Sequence, residues 1–135
     1  MSTLTLLLAA GIVVIPTLAW TDETVVPTYY GAYPIRAATW SGSYWIVAGE
    51  GASSGMNGQI QGYTDFSTLR SNYVHATKKY YSADSNQAGD VLCGGDGGVL
   101  TYSTEGGVSW TANTTAASTF GDHTIYGITY ANSIY

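Results

Sequence analysis

An internal repeat of about 45 residues constrains the fold of this chain more than any other feature of its sequence. The segment 45–51, WIVAGEG, aligns with the segment 91–97, VLCGGDG. After an insertion in the first copy, the segment 58–65 aligns with 98–105, and an acidic residue closes each copy. Both copies hold short apolar runs separated by turns rich in glycine, serine and asparagine, which is the pattern of antiparallel strands. The repeat therefore predicts two structural units of four short strands each.

A third copy of the repeat opens at Ile125. The segment Ile35–Trp45 recurs as Ile125–Tyr135, with Ile, Thr and Ser identical and aromatic residues matched at two further positions. Repeats of this length that carry four strands are typical of β-propeller blades. We therefore predict an all-β fold of propeller-type, four-stranded antiparallel blades that is incomplete within this chain. Its units are expected to span residues 35–80, 81–124 and 125–135.

The composition favours strands and excludes one class of partner. The chain contains 12 Tyr, 4 Trp and 17 Gly, an excess that suits sheets joined by tight turns. Its formal net charge is −5, whereas a nucleic-acid-binding surface needs a basic face, so we expect no nucleic-acid partner. Only 10% of the residues are charged, which predicts a surface of Tyr, Thr, Ser and Asn. Such a surface is common in extracellular and virion proteins and unusual in cytosolic enzymes.

The turn that closes the second copy carries a specific motif. Residues Ser103–Trp110, STEGGVSW, resemble the Asp-box of sialidase-type β-propeller repeats, written S-x-D-x-G-x-x-W, with a glutamate in place of the aspartate. The motif implies a structural turn in which the acidic side chain accepts backbone N–H groups, glycine takes a positive φ, and tryptophan folds back as an apolar plug. The turn residues expected from this motif, and from its equivalent in the first copy, are Asp65, Ser103, Glu105, Gly107 and Trp110.

The N-terminal segment 1–20 is the most apolar part of the chain. Its run Leu4–Ala19 is broken by Gly11 and Pro16, and it is shorter than the about 20 apolar residues of a transmembrane helix. We rank three interpretations: buried strands or a segment that docks on a partner, then an uncleaved secretory signal, and last a membrane anchor. Residues 21–34, which contain two prolines, predict an extended connector.

The sequence predicts no catalytic residue, no metal site and no cofactor. The resemblance to sialidase-type repeats implies a glycoside hydrolase that grips a carboxylated sugar with three arginines, but the chain has only Arg36 and Arg70. His123 follows Asp122, and neighbouring strand residues point to opposite faces, so this pair does not suit a metal ion. Cys93, the single cysteine, lies in an apolar run and is expected to be buried and inert. We therefore predict that the chain is not an enzyme.

The excess of aromatic residues indicates either binding or packing. Exposed rings stack on sugar faces and dominate protein interfaces, whereas cross-strand pairs of rings stabilise sheets. Both interpretations stay open from the sequence alone. The candidate binding residues are Tyr29, Tyr30, Tyr33, Trp40, Tyr44, Trp45, Tyr80 and Tyr81.

Three functions follow from these patterns. The first is a structural or assembly protein of an extracellular particle, such as a virion or a surface appendage. An incomplete set of blades needs other copies, a different chain or further sequence to cover its edges, and a strand at Ile125–Tyr135 is expected to pair with a neighbouring chain or with such further sequence. The resemblance points the same way, because similar repeats occur in phage tail and surface proteins. The second function is a lectin-like module that binds glycans, and the third is a fragment of a sialidase-like hydrolase, which the arginine count disfavours.

Overall fold

The computed structural model describes residues 34–51, 57–65, 68–131 and 134. The predictions for the N-terminal segment 1–20, and for residues 21–33 of the connector, lie outside the described residues. The first sheet contains the strands β1 (Ile35–Trp40), β2 (Trp45–Glu50), β3 (Gly58–Tyr63) and β4 (Leu69–His75). The second sheet contains the strands β5 (Tyr80–Ser85), β6 (Val91–Gly95), β7 (Leu100–Ser103) and β8 (Thr111–Ala112).

Both sheets are antiparallel and follow the order of the chain, β1-β2-β3-β4 and β5-β6-β7-β8. Helix is limited, in the described part of the chain, to one 3-10 turn at Asp96–Gly98 and a short helix, α1, at Ala116–Phe120. The prediction of an all-β fold with four-stranded antiparallel sheets is therefore confirmed. The described strands do not close into a ring.

The same β-bulge occurs at the start of both sheets. In the first sheet the register shifts between Ile35 and Ala37, and in the second it shifts between Tyr80 and Ser82, at the equivalent place in the repeat. A bulge bends its strand and increases the local twist. The two units therefore share a local bend as well as a strand order.

The alignment of the central strands is also reproduced. Trp45 lies opposite Tyr63 in the first sheet, and their counterparts Val91 and Ser103 lie opposite each other in the second. The insertion in the first copy falls between β2 and β3, where it leaves this pairing unchanged. Because a slip of one residue would turn every side chain to the other face, the shared register puts equivalent residues on equivalent faces.

The hydrophobic core lies between the two sheets and takes residues from both. A large apolar side chain contributes about 1.5–3 kcal/mol when it is fully buried, so the two sheets stabilise each other. The sequence of β2, WIVAGE, is buried from its second residue onward, as expected of a strand that is covered on both faces. The fully buried core residues are Ile46, Ala48, Ile60, Tyr80, Val91 and Cys93.

The first strands of the two sheets, β1 and β5, lie side by side. The Ser85 hydroxyl donates a hydrogen bond to the carbonyl of Trp40 at 2.5 Å, and the Thr39 hydroxyl donates to the Asp84 carboxylate at 3.5 Å. Both pairs are separated by 45 residues in the sequence. Equivalent positions of successive units are therefore in direct contact.

The described part of the strand predicted at the start of the third unit, residues 125–130, is not formed. Residues 123–130 have no regular secondary structure, and an isolated bridge joins Ala131 to Ile134. The physical reason is that a strand exists through its hydrogen-bonded partner, and no described strand pairs with this segment. The segment still lies against the second sheet, where the Ile125 N–H donates to the carbonyl of Gly95 at 3.0 Å.

Candidate functional site

Asp65 holds the turn between β3 and β4. Its Oδ1 accepts the backbone N–H of Thr68 at 2.7 Å, and its Oδ2 accepts the hydroxyl of the same threonine at 3.2 Å. The Thr64 N–H also donates to the Thr68 carbonyl at 3.1 Å and closes the turn. The side chain of Asp65 therefore makes the local hydrogen bond that the sequence predicts, in an exposed turn.

In the equivalent turn of the second sheet, the hydroxyl of Ser103 accepts backbone N–H groups that the carboxylate of Glu105 was expected to accept. Ser103 Oγ accepts the backbone N–H of Glu105 at 3.2 Å and that of Gly107 at 2.8 Å. The Glu105 carboxylate instead accepts the hydroxyl of Ser109 at 2.7 Å. This differs from the prediction that Glu105 accepts backbone N–H groups. The extra methylene of glutamate carries its carboxylate past the turn backbone to the next polar side chain.

Gly107 and Trp110 of this turn fit the roles that the motif implies. Gly107 has a φ of 96°, and a Cβ there would lie 2.3 Å from the Ile46 side chain. Only glycine combines this backbone conformation with so close an approach. Trp110 packs against the core, and its Nε1 has no hydrogen-bond partner among the described residues, which suits a purely apolar plug.

The candidate binding aromatics have different environments. Tyr80 is fully buried, and its hydroxyl shares a 2.7 Å hydrogen bond with that of Thr101, so its prediction as a binding residue is wrong. The reason is its place at the start of β5, where the side chain faces the core between the sheets. Tyr44 is partly buried and packs against the same core. Three candidates lie outside the described residues: Tyr29, Tyr30 and Tyr33.

Trp40 and Trp45 face each other across the first hairpin. They are paired in register, and their ring centroids are 5.3 Å apart with the planes inclined at 55°. Such an aromatic pair adds about 0.5–1.5 kcal/mol to the burial of its rings. Since Trp45 is 36% exposed, the pair stabilises the sheet and also leaves one ring accessible to solvent.

Tyr81 belongs to a row of side chains that the sequence analysis missed. Arg36, Tyr81 and Tyr126 occupy the second position of the three copies of the first strand. The Arg36 guanidinium lies 5.3 Å from the centre of the Tyr81 ring, and the Tyr81 and Tyr126 rings meet edge to face at 5.3 Å. Tyr126 is 74% exposed. We call these three residues the first-strand row. Its signal was present in the repeat, because aligning the units puts all three residues at one position.

An acidic residue at the end of each second strand, or directly after it, connects its unit to the next one. The Glu50 carboxylate binds the Arg36 guanidinium at 2.5 Å and the Lys79 ammonium at 3.3 Å. The hydrogen bond from Arg36, assisted by Lys79, outweighs desolvation and holds the pKa of Glu50 below its ordinary value. In the second unit, the Thr124 hydroxyl donates to the Asp96 carboxylate at 3.5 Å. Lys79 and Thr124 each directly precede a copy of the first strand, so the connection is repeated.

Residues 125–131 dock on the second sheet much as β5 docks on the first. The Ser82 hydroxyl donates to the carbonyl of Ile125 at 3.2 Å, and the Tyr130 N–H donates to the Asp84 carboxylate at 2.7 Å. The second of these pairs is separated by 46 residues, close to the spacing that relates β1 to β5. The segment therefore continues the line of first strands.

A glycine in β6 makes room for this contact. A Cβ at Gly94 would lie 2.7 Å from the side chain of Ile125 and 2.9 Å from that of Ile128. Real Cβ atoms do not approach so closely, so a side chain at this position would push the segment away from the sheet. The docking of residues 125–131 on the second sheet therefore requires a small residue at position 94.

The turn after the segment is repeated as well, but no described strand pairs with the segment. The Ala131 N–H donates to the carbonyl of Ile134 at 2.8 Å, just as the Ser41 N–H donates to the carbonyl of Tyr44 at 2.9 Å. Within the described residues, the backbone N–H groups of residues 126–129 have no hydrogen-bond partner. The segment thus has the contacts of a first strand, and no described strand takes the place of the second strand beside it.

The other reactive groups are buried or isolated. The expected burial of Cys93 is confirmed, and this burial raises the pKa of its thiol. Desolvation lowers the pKa of His75. Among the residues that the structure describes, no three His, Cys, Asp or Glu side chains are grouped as a metal site would require. No helix in the described ranges is long and apolar enough to cross a membrane.

Comparison with known proteins gives no relative: no protein-family model, curated protein or solved structure matches the chain. The function of the chain must therefore be argued from its geometry.

Proposed function

We propose that this chain is a non-enzymatic assembly module built from propeller-type blades, and that it binds another protein chain by strand pairing along residues 125–131. One observation carries the proposal. The segment docks on the second sheet as a first strand, yet the N–H groups of residues 126–129 have no partner within the described part of the chain. An unpaired strand edge is a template for a strand of another chain, because unsatisfied backbone groups cost free energy when they are buried.

The arrangement of the units supports the propeller interpretation. In each sheet the four strands follow chain order, and the first strands of successive units lie side by side. Blades placed around a common axis would make these contacts, since one step relates each blade to the next. The described residues contain two four-stranded sheets, whereas propellers have about four to eight blades. In this proposal other chains supply the remaining blades.

We extend the proposal to an extracellular particle, such as a virion or a surface appendage. Its support is compositional: 10% of the residues are charged, and tyrosine is the most frequent aromatic residue, with 12 copies. Neutral polar and aromatic surfaces suit permanent contacts between subunits, because charged residues are depleted at interface centres and tyrosine is enriched there.

Gly127 allows a direct test of strand pairing. Gly127→Pro removes a backbone N–H from the unpaired edge, whereas Gly127→Ala keeps it, and a Cβ at this position meets no atom within 4 Å. We expect the wild type and Gly127→Ala to be multimers by size-exclusion chromatography with light scattering. Gly127→Pro should shift the mass to that of one chain.

Circular dichroism of the two Gly127 variants serves as the folding control, and both should keep the β-sheet spectrum of the wild type. A wild type that remains a single chain at concentrations of tens of micromolar would contradict the proposal. So would a Gly127→Pro variant that keeps the full multimer mass.

A second candidate function, glycan binding, is favoured by the first-strand row. Tyr126 presents a largely exposed ring beside Tyr81, and the Arg36–Glu50 ion pair lies next to them. Aromatic faces stack on the apolar face of sugar rings, and neighbouring charged groups can bind their hydroxyls. The row therefore offers both parts of a site for a neutral oligosaccharide.

A glycan array of neutral oligosaccharides, followed by titration of the best ligand, tests this second candidate. Tyr126→Ala should weaken binding about tenfold, since loss of a stacked ring costs on the order of 1–2 kcal/mol. Tyr102→Ala, at a tyrosine of β7 that is 39% exposed, is the matched control and should bind like the wild type. An array without any bound glycan, or equal losses in both variants, would remove this candidate.

A further inference from the structure

We propose that a cavity at the end of β4 binds a small monocarboxylate, which has one anionic head group on a short apolar body. The cavity has a volume of about 240 Å³ and is lined by residues of β4 and the loop after it on one side, and of the β6–β7 turn, β8 and α1 on the other. None of its lining residues belongs to the segment 125–131. The inference therefore goes beyond the assembly proposed above and does not depend on it.

Lys78 brings an unneutralised positive charge to this cavity. Its ammonium lies over Gly97, where an added Cβ would come within 2.3 Å of Nζ. Among the described residues, no carboxylate forms an ion pair with Lys78, whereas Arg36 and Lys79 both pair with Glu50. Lys78 is also partly buried. Because a partly desolvated ammonium is stabilised by an anion that accepts its hydrogen bonds, this end of the cavity favours an anionic group.

His75 adds a hydrogen-bond donor to the lining of the same cavity. Its Nδ1 accepts the backbone N–H of Thr77 at 3.3 Å, so the proton of the neutral ring is on Nε2. Desolvation, together with the charge of Lys78, lowers the pKa of His75, and the ring is therefore neutral at a pH of about 7. One ammonium and one neutral donor suit a single negative charge better than a dianion such as phosphate.

The rest of the lining is largely apolar. It includes the side chains of Val99, Leu100, Ala112 and Ala117. Each CH₂ group of a ligand that such a surface buries raises the affinity about fourfold. The cavity is smaller than the about 300–1,000 Å³ of sites for drug-sized ligands, so it suits an apolar body of a few carbon atoms. An inorganic anion would leave this surface uncovered.

Saturation-transfer difference NMR of the full chain with butyrate tests the proposal, and a titration gives the dissociation constant. Butyramide has nearly the same shape without the charge, and acetate has the same head group on a shorter body. Each should bind on the order of tenfold more weakly than butyrate. Since the chain has a formal net charge of −5, a general attraction of anions cannot produce a preference for butyrate over butyramide.

Two variants locate the bound head group. Lys78→Gln should weaken the binding of butyrate about fivefold or more, because it removes a charge-assisted hydrogen bond. Arg70→Gln is the matched control, since it removes the same charge from an exposed residue of β4 that does not line the cavity. It should bind butyrate like the wild type. Circular dichroism of both variants should match that of the wild type.

Each contrary outcome overturns a stated part of the inference. Equal affinities for butyrate and butyramide, or equal losses in the two variants, would overturn the anionic head group at Lys78. Equal affinities for acetate and butyrate would overturn the apolar body. The absence of any butyrate signal at tens of millimolar ligand would overturn the site itself. All of these results leave the assembly proposal standing, because that proposal is tested by the mass of the multimer.

Discussion

At the scale of the residue, two different side chains accept backbone N–H groups in equivalent turns. Asp65 accepts a backbone N–H with its carboxylate, whereas Ser103 accepts two with its hydroxyl. A short side chain can fold back onto its own turn, and the longer side chain of Glu105 reaches Ser109 instead. The motif in the sequence predicted the position of the turn correctly. The turn is stabilised by the hydroxyl of Ser103, because the side chain of Glu105 is too long to fold back onto the turn.

The first prediction therefore compares two truncations within one turn. Ser103→Ala should lower the free energy of unfolding by about 1–2 kcal/mol, because it leaves the N–H of the buried Gly107 without its acceptor. Glu105→Ala should cost less than about 0.5 kcal/mol, since its carboxylate is exposed and bonds only to another side chain in the turn. Urea unfolding of both variants measures these costs. A larger loss in Glu105→Ala than in Ser103→Ala would show that the acid, and not the serine, holds the turn.

Two neighbouring tyrosines show what the sequence can and cannot predict about the environment of a single side chain. Adjacent strand residues point to opposite faces, so Tyr80 and Tyr81 cannot share one environment. The structure buries Tyr80 completely between the sheets and leaves Tyr81 beside Arg36 and Tyr126. The sequence predicted that aromatic residues serve packing or binding. It could not show which of the two rings packs in the core and which lies at the surface, because this depends on which face of the strand meets the other sheet.

At the scale of the element, the repeat predicted the number of strands and the alignment of the two sheets. The alignment of Gly58–Asp65 with 98–105 matches the pairing of β3 and β7 with their neighbours. Residues 125–130, the described start of the strand expected at Ile125–Tyr135, have no regular secondary structure, because no described strand pairs with them. Local sequence encodes the tendency to extend, whereas the presence of a partner decides whether a strand forms.

The second prediction concerns the ion pairs that link these elements. The pKa of Glu50 is lowered in the folded chain, above all by the hydrogen bond from Arg36 in β1 and also by Lys79 next to β5. A carboxyl group with a lowered pKa contributes stability above its unfolded pKa, and that stability is lost as the pH falls through the folded pKa. The wild type should therefore exceed Glu50→Gln in unfolding midpoint at a pH of about 7, and the difference should shrink at a pH of about 3.

Urea unfolding of both proteins at the two pH values measures this difference. Added salt at neutral pH should shrink it as well, because Arg36 is partly exposed and exposed ion pairs are screened. A difference that is the same at both pH values would contradict an electrostatic role for Glu50.

At the scale of the whole molecule, three features support the assembly that we propose. They are two sheets with one register, a third unit that no described strand pairs with, and a composition with few charges. The sequence supported this function class through its repeat. It did not identify the first-strand row or the contacts of residues 125–131, because both depend on how successive units pack.

The most direct test of the assembly proposal is hydrogen–deuterium exchange of the amides at residues 126–129. These groups have no hydrogen-bond partner within the described part of one chain, so protection that rises with protein concentration would come from a second chain. At high protein concentration, the alternate amides of this stretch that face the partner should be protected to the level of β5 amides. Their protection should fall on dilution or in Gly127→Pro. Exchange as fast as in exposed loops at every concentration would contradict assembly by strand pairing at this edge.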